Sequence, residues 1–337
     1  MYTRERRASQ NRLSGGQAPY SGYRPKPGCA PENGKECAML AKTRNSTLPL
    51  HLMLLPGLVI LLIYQYTPMG GIVIAFEKFQ AAKGIFRSDW IGWGNFEYVF
   101  QLPNFIQVLW NTISIAFMKI VVGLLVPIAV SLLLNEIRVV WFKRTVQTLV
   151  YLPHFLSWVI LGGILIDVLS PSRGIVNQAL QGLGLEPVFF LGDNRWFPYV
   201  LVATNEWKEF GFATIVYLAA LTNIDPSLYE AAALDGASRL RQTWHVTLPG
   251  MAPIIILMAT LAMGQVLNAG FEQVFNLYNP AVYESGDIID TFVYRIGIQE
   301  AQYGVATAIG LFKSAVSFLF ISCSYYLAYR FANYRIF

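Results

Sequence analysis

The chain has 337 residues, of which 55% are hydrophobic and only 13% are charged, and its formal net charge is +5. Soluble domains are about 45–50% apolar and about 25% charged, so the composition favours a membrane protein. The basic excess is concentrated in the first 46 residues, where nine Lys and Arg face three Asp and Glu. Because no basic stripe runs through the rest, a nucleic-acid groove is excluded as its explanation.

Residues 1–46 are polar, rich in Gly, Pro, Arg and Ser, and lack the apolar core of a signal peptide. We predict that they form a disordered cytoplasmic tail. Cys29 and Cys37 lie in this tail, and Cys323 lies in an apolar stretch near the other end. Since no C-x-x-C or histidine at metal spacing accompanies them, free thiols of a reducing compartment are expected, with no metal and no cofactor.

Six apolar stretches follow, and a helix needs roughly 20 apolar residues to cross a bilayer. The predicted spans are residues 48–75, 108–134, 145–169, 197–221, 250–268 and 304–332. Backbone amides in lipid must be paired within their own segment, so each span is predicted to be a helix. The predicted fold class is therefore an all-α membrane protein with six transmembrane helices, embedded in a lipid bilayer.

Charge in the connecting loops predicts the orientation of these spans. The tail, the loop between spans two and three and the residues after span six are basic, whereas the loop between spans five and six carries five acids and one arginine. Basic loops favour the cytoplasmic side, so both termini are predicted to be cytoplasmic and the acidic loop external. The loop between spans four and five is then cytoplasmic by alternation, although its own charge is ambiguous.

Span four carries polar residues that are costly if they face lipid, including Asn205, Glu206, Lys208 and Glu209. Asn205 and Glu209 share one helix face, since they are four residues apart. Two interpretations remain open. Asn205, Glu206 and Glu209 form a polar wall of a substrate pathway, or the charges form a buried ion pair, for example with Lys313, or lie close to the membrane surface.

Further candidates for substrate contact lie beside this span and in the external loop. Gln265 and Asn268 end span five, and Asn111 lies in span two. The aromatic residues of the external loop are Phe271, Phe275, Tyr278, Tyr283, Phe292 and Tyr294. Aromatic rings offer flat apolar faces to sugar CH groups. The alternative is that these rings pack the loop or anchor it at the lipid interface.

The cytoplasmic loop at 223–253 contains a predicted helix. Asp225 can cap a helix that begins at Pro226 and runs through Asp235. Gly236 permits a turn or a close contact. Small alanines at the centre of this helix would let the groove of another protein approach closely, as in helix-in-groove recognition.

A second short helix is predicted in the same loop at about residues 237–245, before the chain re-enters the membrane at Pro249. The loop would then present two short amphipathic helices beneath the membrane.

The segments EAAALDGA and HVTLPGM of this loop resemble the EAA motif of permease subunits of bacterial ATP-binding-cassette (ABC) importers. The matching residues are Glu230, Ala231, Ala232, Gly236, Val246, Leu248 and Pro249, with Asp235 beside the glycine. The resemblance implies that these residues dock in a cleft of a separate ATPase subunit.

Residues 270–298, 303–314 and 55–79 resemble the LplB-type branch of carbohydrate permeases, which includes membrane subunits of alginate and pectin-fragment importers. Together the likeness covers about residues 48–337, and the long tail and the Trp244–His245 pair depart from it. It implies an inner-membrane permease that imports an oligosaccharide delivered by an extracytoplasmic binding protein. The implied partners are ATPase subunits and a second permease, which we expect to be a paralogue.

The expected organisation is therefore the tail, a first helix with its external loop at 47–106, and a permease core at 107–337. No phosphate-binding loop or catalytic motif occurs, so the chain is not expected to be an enzyme. The main rival is a secondary transporter driven by an ion gradient, which could use Glu206 and Glu209. Two weaker hypotheses are a membrane-bound enzyme and an ABC importer for a non-sugar solute.

Overall fold

The structure, a computed structural model, describes residues 48–332, and the boundary between its two compact units lies between Thr67 and Pro68. The predicted tail at 1–46 lies outside the described residues, and the predicted boundaries at 46 and 106 remain predictions. In the first unit the helix α1 (Leu48–Leu61) continues into the π turn Leu62–Tyr66.

The second unit is almost entirely helical. After the 3₁₀ segment Thr67–Phe76, its elements are β1 (Glu77–Lys78), β2 (Asp89–Trp90), α2 (Gly94–Gln101), α3 (Phe105–Glu136), α4 (Val140–Tyr151), α5 (Trp158–Val168), α6 (Ile175–Gly182), α7 (Phe197–Thr222), α8 (Pro226–Leu234), α9 (Arg239–Gln242), α10 (Leu248–Met263), α11 (Phe271–Leu277), α12 (Tyr283–Gly286), α13 (Ile289–Tyr294) and α14 (Tyr303–Ala332). Short 3₁₀ or π turns lie at Leu152–Phe155, Thr243–Thr247, Pro280–Val282 and Arg295–Gln299. The two strands pair antiparallel, with Glu77 opposite Trp90.

Four helices of the described chain are long and apolar enough to cross a membrane, and a fifth is added if one bent pair counts as a span. The four are Pro49–Phe76, Phe105–Glu136, Arg239–Met263 and Tyr303–Tyr326. They correspond to predicted spans one, two, five and six. Predicted span four is α7, a continuous helix of 26 residues that contains three charged side chains. The all-α membrane fold is confirmed, and the count of six spans remains a prediction.

Predicted span three is not one helix. Val140–Phe155 and Trp158–Val168 meet at an angle of 104°. Pro153 lacks the amide hydrogen that an uninterrupted helix would use, and Ser157 starts a new helix by accepting a hydrogen bond from the amide of Ile160 at 3.4 Å.

The second predicted loop helix, at 237–245, is not separate either. It is the beginning of one continuous helix, Arg239–Met263, that includes span five. The π turn at Thr243–Thr247 widens the helix just before Pro249, so the residue without an amide hydrogen is accommodated without a break.

The long helices α3 and α7 pack along each other, and α10 packs against α3, α7 and α14. One buried apolar cluster lies between α3, α5, α7 and the segment at residues 269–300, which is predicted to be external. It includes Ile115, Leu161 and Leu201. Another joins the last part of α7 to the beginning of α10 through Tyr217 and Met251. A cavity borders both clusters.

Candidate translocation cavity and coupling loop

The cavity has a volume of about 280 Å³ and is lined by α3, α7, α10 and the segment that follows α10. Asn205, Gln265 and Asn268, three of the five residues predicted for the substrate pathway, line it. Asn268 Nδ2 donates to Gln265 Oε1 at 3.1 Å. The side chain of Asn205 in α7 and those of Gln265 and Asn268 after α10 therefore converge on one space.

Sequence reasoning missed two other polar residues of this cavity, Lys119 and Tyr217. Lys119 Nζ donates to the carbonyl oxygen of Ala269 at 2.6 Å and to Gln273 Oε1 at 2.5 Å. Tyr217 is 0% exposed, and its hydroxyl has no hydrogen-bond partner among the described residues. The lysine inside a predicted span was a usable sequence signal, because such a charge needs a polar surrounding.

Glu206, also predicted for the pathway, lies behind the cavity wall. It is 7% exposed, and its Oε1 has no hydrogen-bond partner within the described part of the chain. Its Oε2 would lie 3.4 Å from a Cβ added at Gly123, a residue that lines the cavity. The carboxylate is thus adjacent to the cavity without facing into it.

Glu209, the fifth predicted pathway residue, lies at the bend of span three instead of at the cavity. Its carboxylate is 2.8 Å from His154 Nδ1 and 3.0 Å from Lys208 Nζ. Lys208 also donates to the carbonyl oxygen of His154 at 2.8 Å. A break in a span exposes backbone groups that lipid cannot satisfy, so these side chains stabilise the bend. This arrangement matches the ion-pair interpretation of the polar residues in span four.

Lys313 and Asn111 have structural partners in the loop between spans five and six, which is predicted to be external. Lys313 pairs with Asp290 at 2.5 Å, so the suggested pairing with span four is wrong. Asn111 Nδ2 donates to the carbonyl oxygens of Glu284 and Asp287 at 2.9 and 3.2 Å. Both contacts fix the external loop to the spans.

The aromatic residues of the external loop pack mainly on one another. Phe271 and Phe275 stack with centroids 5.2 Å apart, and Tyr294 meets Phe275 edge-on at 5.0 Å. Tyr278 and Tyr283 are 5.2 Å apart. These contacts favour the packing interpretation over a face presented to sugar.

A buried ion pair lies beneath these rings. Asp287, 2% exposed, pairs with Arg295, whose guanidinium lies 4.7 Å from the ring centroid of Tyr283. Burial, and then the nearby Tyr283 and Asp287, raise the pKa of Tyr278 to about 12, although Arg295 opposes the shift. The external loop therefore has a core of its own.

The loop at 223–253, predicted to be cytoplasmic, contains the predicted first helix, now α8. Asp225 accepts a hydrogen bond from the amide of Ser227 at 2.9 Å, which confirms the cap and holds the pKa of Asp225 below its ordinary value. Gly236 has a φ of +74°, the left-handed conformation that glycine adopts without strain. The amide of Ala237 donates to the carbonyl of Ala232 at 2.9 Å, which completes a Schellman motif.

Two side-chain contacts join this loop to the bases of the long helices. Tyr229 Oη lies 3.0 Å from Thr247 Oγ1, and Arg239 Nη1 donates to Glu136 Oε2 at 2.7 Å. The loop is therefore attached to both span two and span five.

The predicted ATPase-coupling residues are mostly accessible in this loop. Glu230, Ala231, Asp235, Gly236 and Pro249 are exposed, and Ala232, Val246 and Leu248 are half-buried. Large apolar side chains are exposed around them: Leu228 by 52%, Leu234 by 90%, Leu240 by 70% and Trp244 by 62%. Val246, Leu248 and Pro249 belong to the base of span five.

Helices long and apolar enough to cross a membrane, a cavity between them with polar residues in its lining and an exposed helical loop are typical of an integral membrane transport subunit. Residues 120–333 match the family described as "Binding-protein-dependent transport system inner membrane component". The chain belongs to this family. It is therefore an inner-membrane transport component.

Similar proteins support the same assignment. The chain is 41% identical over 288 residues to "Polygalacturonan/rhamnogalacturonan transport system permease protein YteP" of Bacillus subtilis (strain 168), covering 86% of this chain and 90% of that protein. It is 40% identical over 288 residues to "Protein LplB" of the same organism, covering 86% and 91%. It matches a chain of a solved "bacterial ABC transporter involved in the import of the acidic polysaccharide alginate", with a TM-score of 0.79, 38% identity and coverage of 87% and 99%. The resemblance to ABC importer permeases of the LplB type is confirmed.

Proposed function

We propose that this chain is the permease subunit through which an ABC importer moves an oligosaccharide released from a polysaccharide. A relative at 41% identity is named for the transport of polygalacturonan and rhamnogalacturonan, and the matching solved transporter imports alginate. The binding protein would deliver the sugar from outside, and a second permease, a paralogue of this chain, would complete the pathway. Both termini would lie in the cytoplasm, as the loop charges indicate.

The observation that carries the coupling role is the rigid, exposed loop between α7 and α10. Capping and the Schellman turn fix α8, while Leu234 and Trp244 remain 90% and 62% exposed. Exposed apolar patches with a polar rim mark sites of association. We infer that the loop, from Glu230 to Gly236, docks into a separate ATPase subunit that hydrolyses ATP. The chain itself would catalyse no reaction.

The contacts of this loop supply a route from the ATPase to the cavity. Arg239 joins the loop to Glu136 of α3, and Tyr229 joins it to Thr247 at the base of span five. Both α3 and α10 line the cavity higher up. A displacement of the loop by the closing ATPase dimer would therefore move two walls of the cavity and alternate its access.

The ion-driven carrier fits the structure less well. Such a carrier was expected to rely on Glu206 and Glu209, but the carboxylate of Glu209 is engaged by His154 and Lys208 at the helix break. An ion-driven carrier also has no use for an exposed docking helix.

A pair of glycine variants tests the coupling proposal. Gly236→Asp is compared with Gly184→Asp, because both glycines have φ values near +75° (+74° and +78°) and open space around the missing Cβ. Either substitution costs about 1 kcal/mol of backbone strain, and aspartate tolerates this conformation better than most residues. Only Gly236 lies in the proposed docking surface.

The reconstituted importer would be assayed for ATP hydrolysis stimulated by the sugar-loaded binding protein and for uptake. We expect Gly236→Asp to lose most of the stimulation and uptake, while Gly184→Asp retains both. Equal behaviour of the two variants, in assembly as well as in uptake, would show that the loop is not the docking surface.

A further inference from the structure

The lysines inside the long helices differ in their partners. Lys208 pairs with Glu209, and Lys313 pairs with Asp290. Lys119 of α3 contacts only the neutral oxygens of Ala269 and Gln273, and no carboxylate of the described chain lies within 4.0 Å of its ammonium. A cation at membrane depth is costly unless it faces a water-filled cavity or a counter-ion, so its position requires an explanation.

The hydrogen-bond acceptors around Lys119 are held in place by neighbouring residues. Gln273 Nε2 donates to the carbonyl oxygen of Leu201 and to Thr204 Oγ1, both at 2.8 Å, so its amide oxygen is directed at the lysine. Gly270 has a φ of +93°, and a Cβ there would lie 3.2 Å from Lys119 Nζ. The surrounding residues therefore hold the ammonium at the cavity wall without neutralising it.

Lys119 has one hydrogen-bond donor left for an acceptor in the cavity. An ammonium has three donors, and two of them are used by Ala269 and Gln273. Asn205, Gln265 and Asn268 also line the cavity, and their side chains carry amide groups. A positive charge without a counter-ion, together with the amides of the lining, fits a ligand that carries both an anion and hydroxyl groups.

We propose that Lys119 is an anion-binding residue of the cavity and that the cargo carries carboxylate groups, as an oligosaccharide with uronic-acid residues does. This inference rests on the proposed function, because it concerns the same cavity. A carboxylate accepts a charge-assisted hydrogen bond from the remaining donor of Lys119, and such bonds are roughly twice as strong as neutral ones. At about 280 Å³ the cavity would hold one part of the oligosaccharide at a time.

The test uses the assembled importer in nanodiscs of phosphatidylcholine, which has no net charge to compete for Lys119. Binding of tetragalacturonate and of its fully methyl-esterified form is measured by isothermal titration calorimetry, without the binding protein. The two ligands have the same length and differ in charge. Wild type, Lys119→Gln, Lys119→Arg and the exposed control Lys83→Gln are compared.

We expect wild type to bind the charged ligand at least about 10-fold more tightly than the ester, since a hydrogen bond to a charged group is stronger than one to a neutral group. Lys119→Gln should abolish this preference, whereas Lys119→Arg and Lys83→Gln should keep it.

Equal affinity of wild type for the two ligands, or no binding of either, overturns the inference even if the glutamine variant fails to assemble. A preference that persists in Lys119→Gln overturns it as well. ATP-dependent uptake separates the two proposals. Uptake of neutral oligosaccharides as fast as charged ones would reject the inference and leave the importer function intact, whereas no uptake of any oligosaccharide would reject both.

Discussion

The two segments that flank span five differ in the exposure of their apolar side chains. The external segment, residues 269–300, buries Val274, Leu277, Ile288 and Ile289 in the clusters that it shares with the long helices. The cytoplasmic loop exposes most of its large apolar side chains, and Leu234 is 90% exposed. One segment is held by its own core, and the other by helix caps and two polar contacts.

This difference assigns the two segments different energetic roles. Substitutions in a packed core with a buried ion pair should act on the stability of the chain itself. Substitutions in an exposed, capped helix should leave the chain folded and act on association with a partner. Measuring stability and assembly separately for matched variants therefore tests the contrast directly.

The largest effect is expected at the buried pair of the external segment. Asp287→Asn leaves Arg295 without its counter-ion, and breaking a buried pair costs about 3–5 kcal/mol. The thermal midpoint of the purified importer should fall accordingly, whereas Glu272→Gln, at an exposed carboxylate of the same segment, should change it little.

Replacing both partners, with Asp287→Asn and Arg295→Met together, should recover much of the loss, because no unpaired charge then stays buried. If the single variant is as stable as wild type, the external segment is not stabilised by this pair, and the contrast with the cytoplasmic loop is weaker than the structure indicates.

A smaller effect, on assembly, is expected in the cytoplasmic loop. Leu234→Ser should leave the stability of the permease within about 0.5 kcal/mol, since the side chain is exposed. It should weaken ATPase binding by about 2 kcal/mol, the value of burying one leucine, which corresponds to roughly 30-fold in affinity. Biolayer interferometry on permease in nanodiscs measures this directly.

The matched control is Leu183→Ser, at a leucine that is 77% exposed but lies outside the loop. It should change neither stability nor ATPase affinity. A loss of stability in Leu234→Ser without a loss of affinity would mean that the loop is packed by its own chain, as the external segment is.

The pH dependence of the external segment gives a third, smaller effect. The pKa of Tyr278 is about 12, above the ordinary value of 10.0, so the folded state keeps a proton that the unfolded state loses between these values. Stability from this residue is present below pH 10 and is lost as the pH rises to 12. Because Tyr278 is half-exposed, we expect only about 1 kcal/mol after solvent screening.

Thermal midpoints measured from pH 9 to 12 would show the effect as a steeper decline in wild type than in Tyr278→Phe. Tyr303→Phe, at a tyrosine outside this cluster, serves as the control. Parallel curves for wild type and Tyr278→Phe would show that burial of Tyr278 does not favour its neutral form.

Local signals in the sequence were sufficient for local features. Long apolar runs predicted spans one, two, five and six, and the Asp225–Pro226 and Gly236 signals predicted both ends of α8. The bend in span three was missed because hydropathy does not report direction, although Pro153 and Ser157 lie at the break. The prediction of a separate helix at 237–245 was wrong because Pro249 does not end the helix, since a π turn accommodates it.

Contacts between distant residues were the part that the sequence did not predict. Lys119 is held by Ala269 and Gln273, about 150 residues later, and no local pattern joins them. For Lys313 the sequence left several alternatives open, including a pair with span four, and in the structure it pairs with Asp290. Asn205, Gln265 and Asn268, which were predicted for the substrate pathway, line one cavity. Their role in transport remains a prediction.

The smallest effect is expected at the cap of the cytoplasmic helix. Asp225→Ala removes the acceptor for the amide of Ser227, and Asp225→Asn keeps an acceptor without the charge. Because the hydrogen bonds from Ser227 lower the pKa of Asp225, the charged cap contributes stability above the ordinary pKa of 3.8. This stability is lost as the pH falls through the lower pKa of the folded state.

At neutral pH, hydrogen exchange across 226–231 should therefore be faster in Asp225→Ala and close to wild type in Asp225→Asn. Exchange in the external segment should be unchanged in both, since that segment depends on its core. Faster exchange in both segments would instead show that the loop and the external segment unfold together, and the division of roles between them would fail.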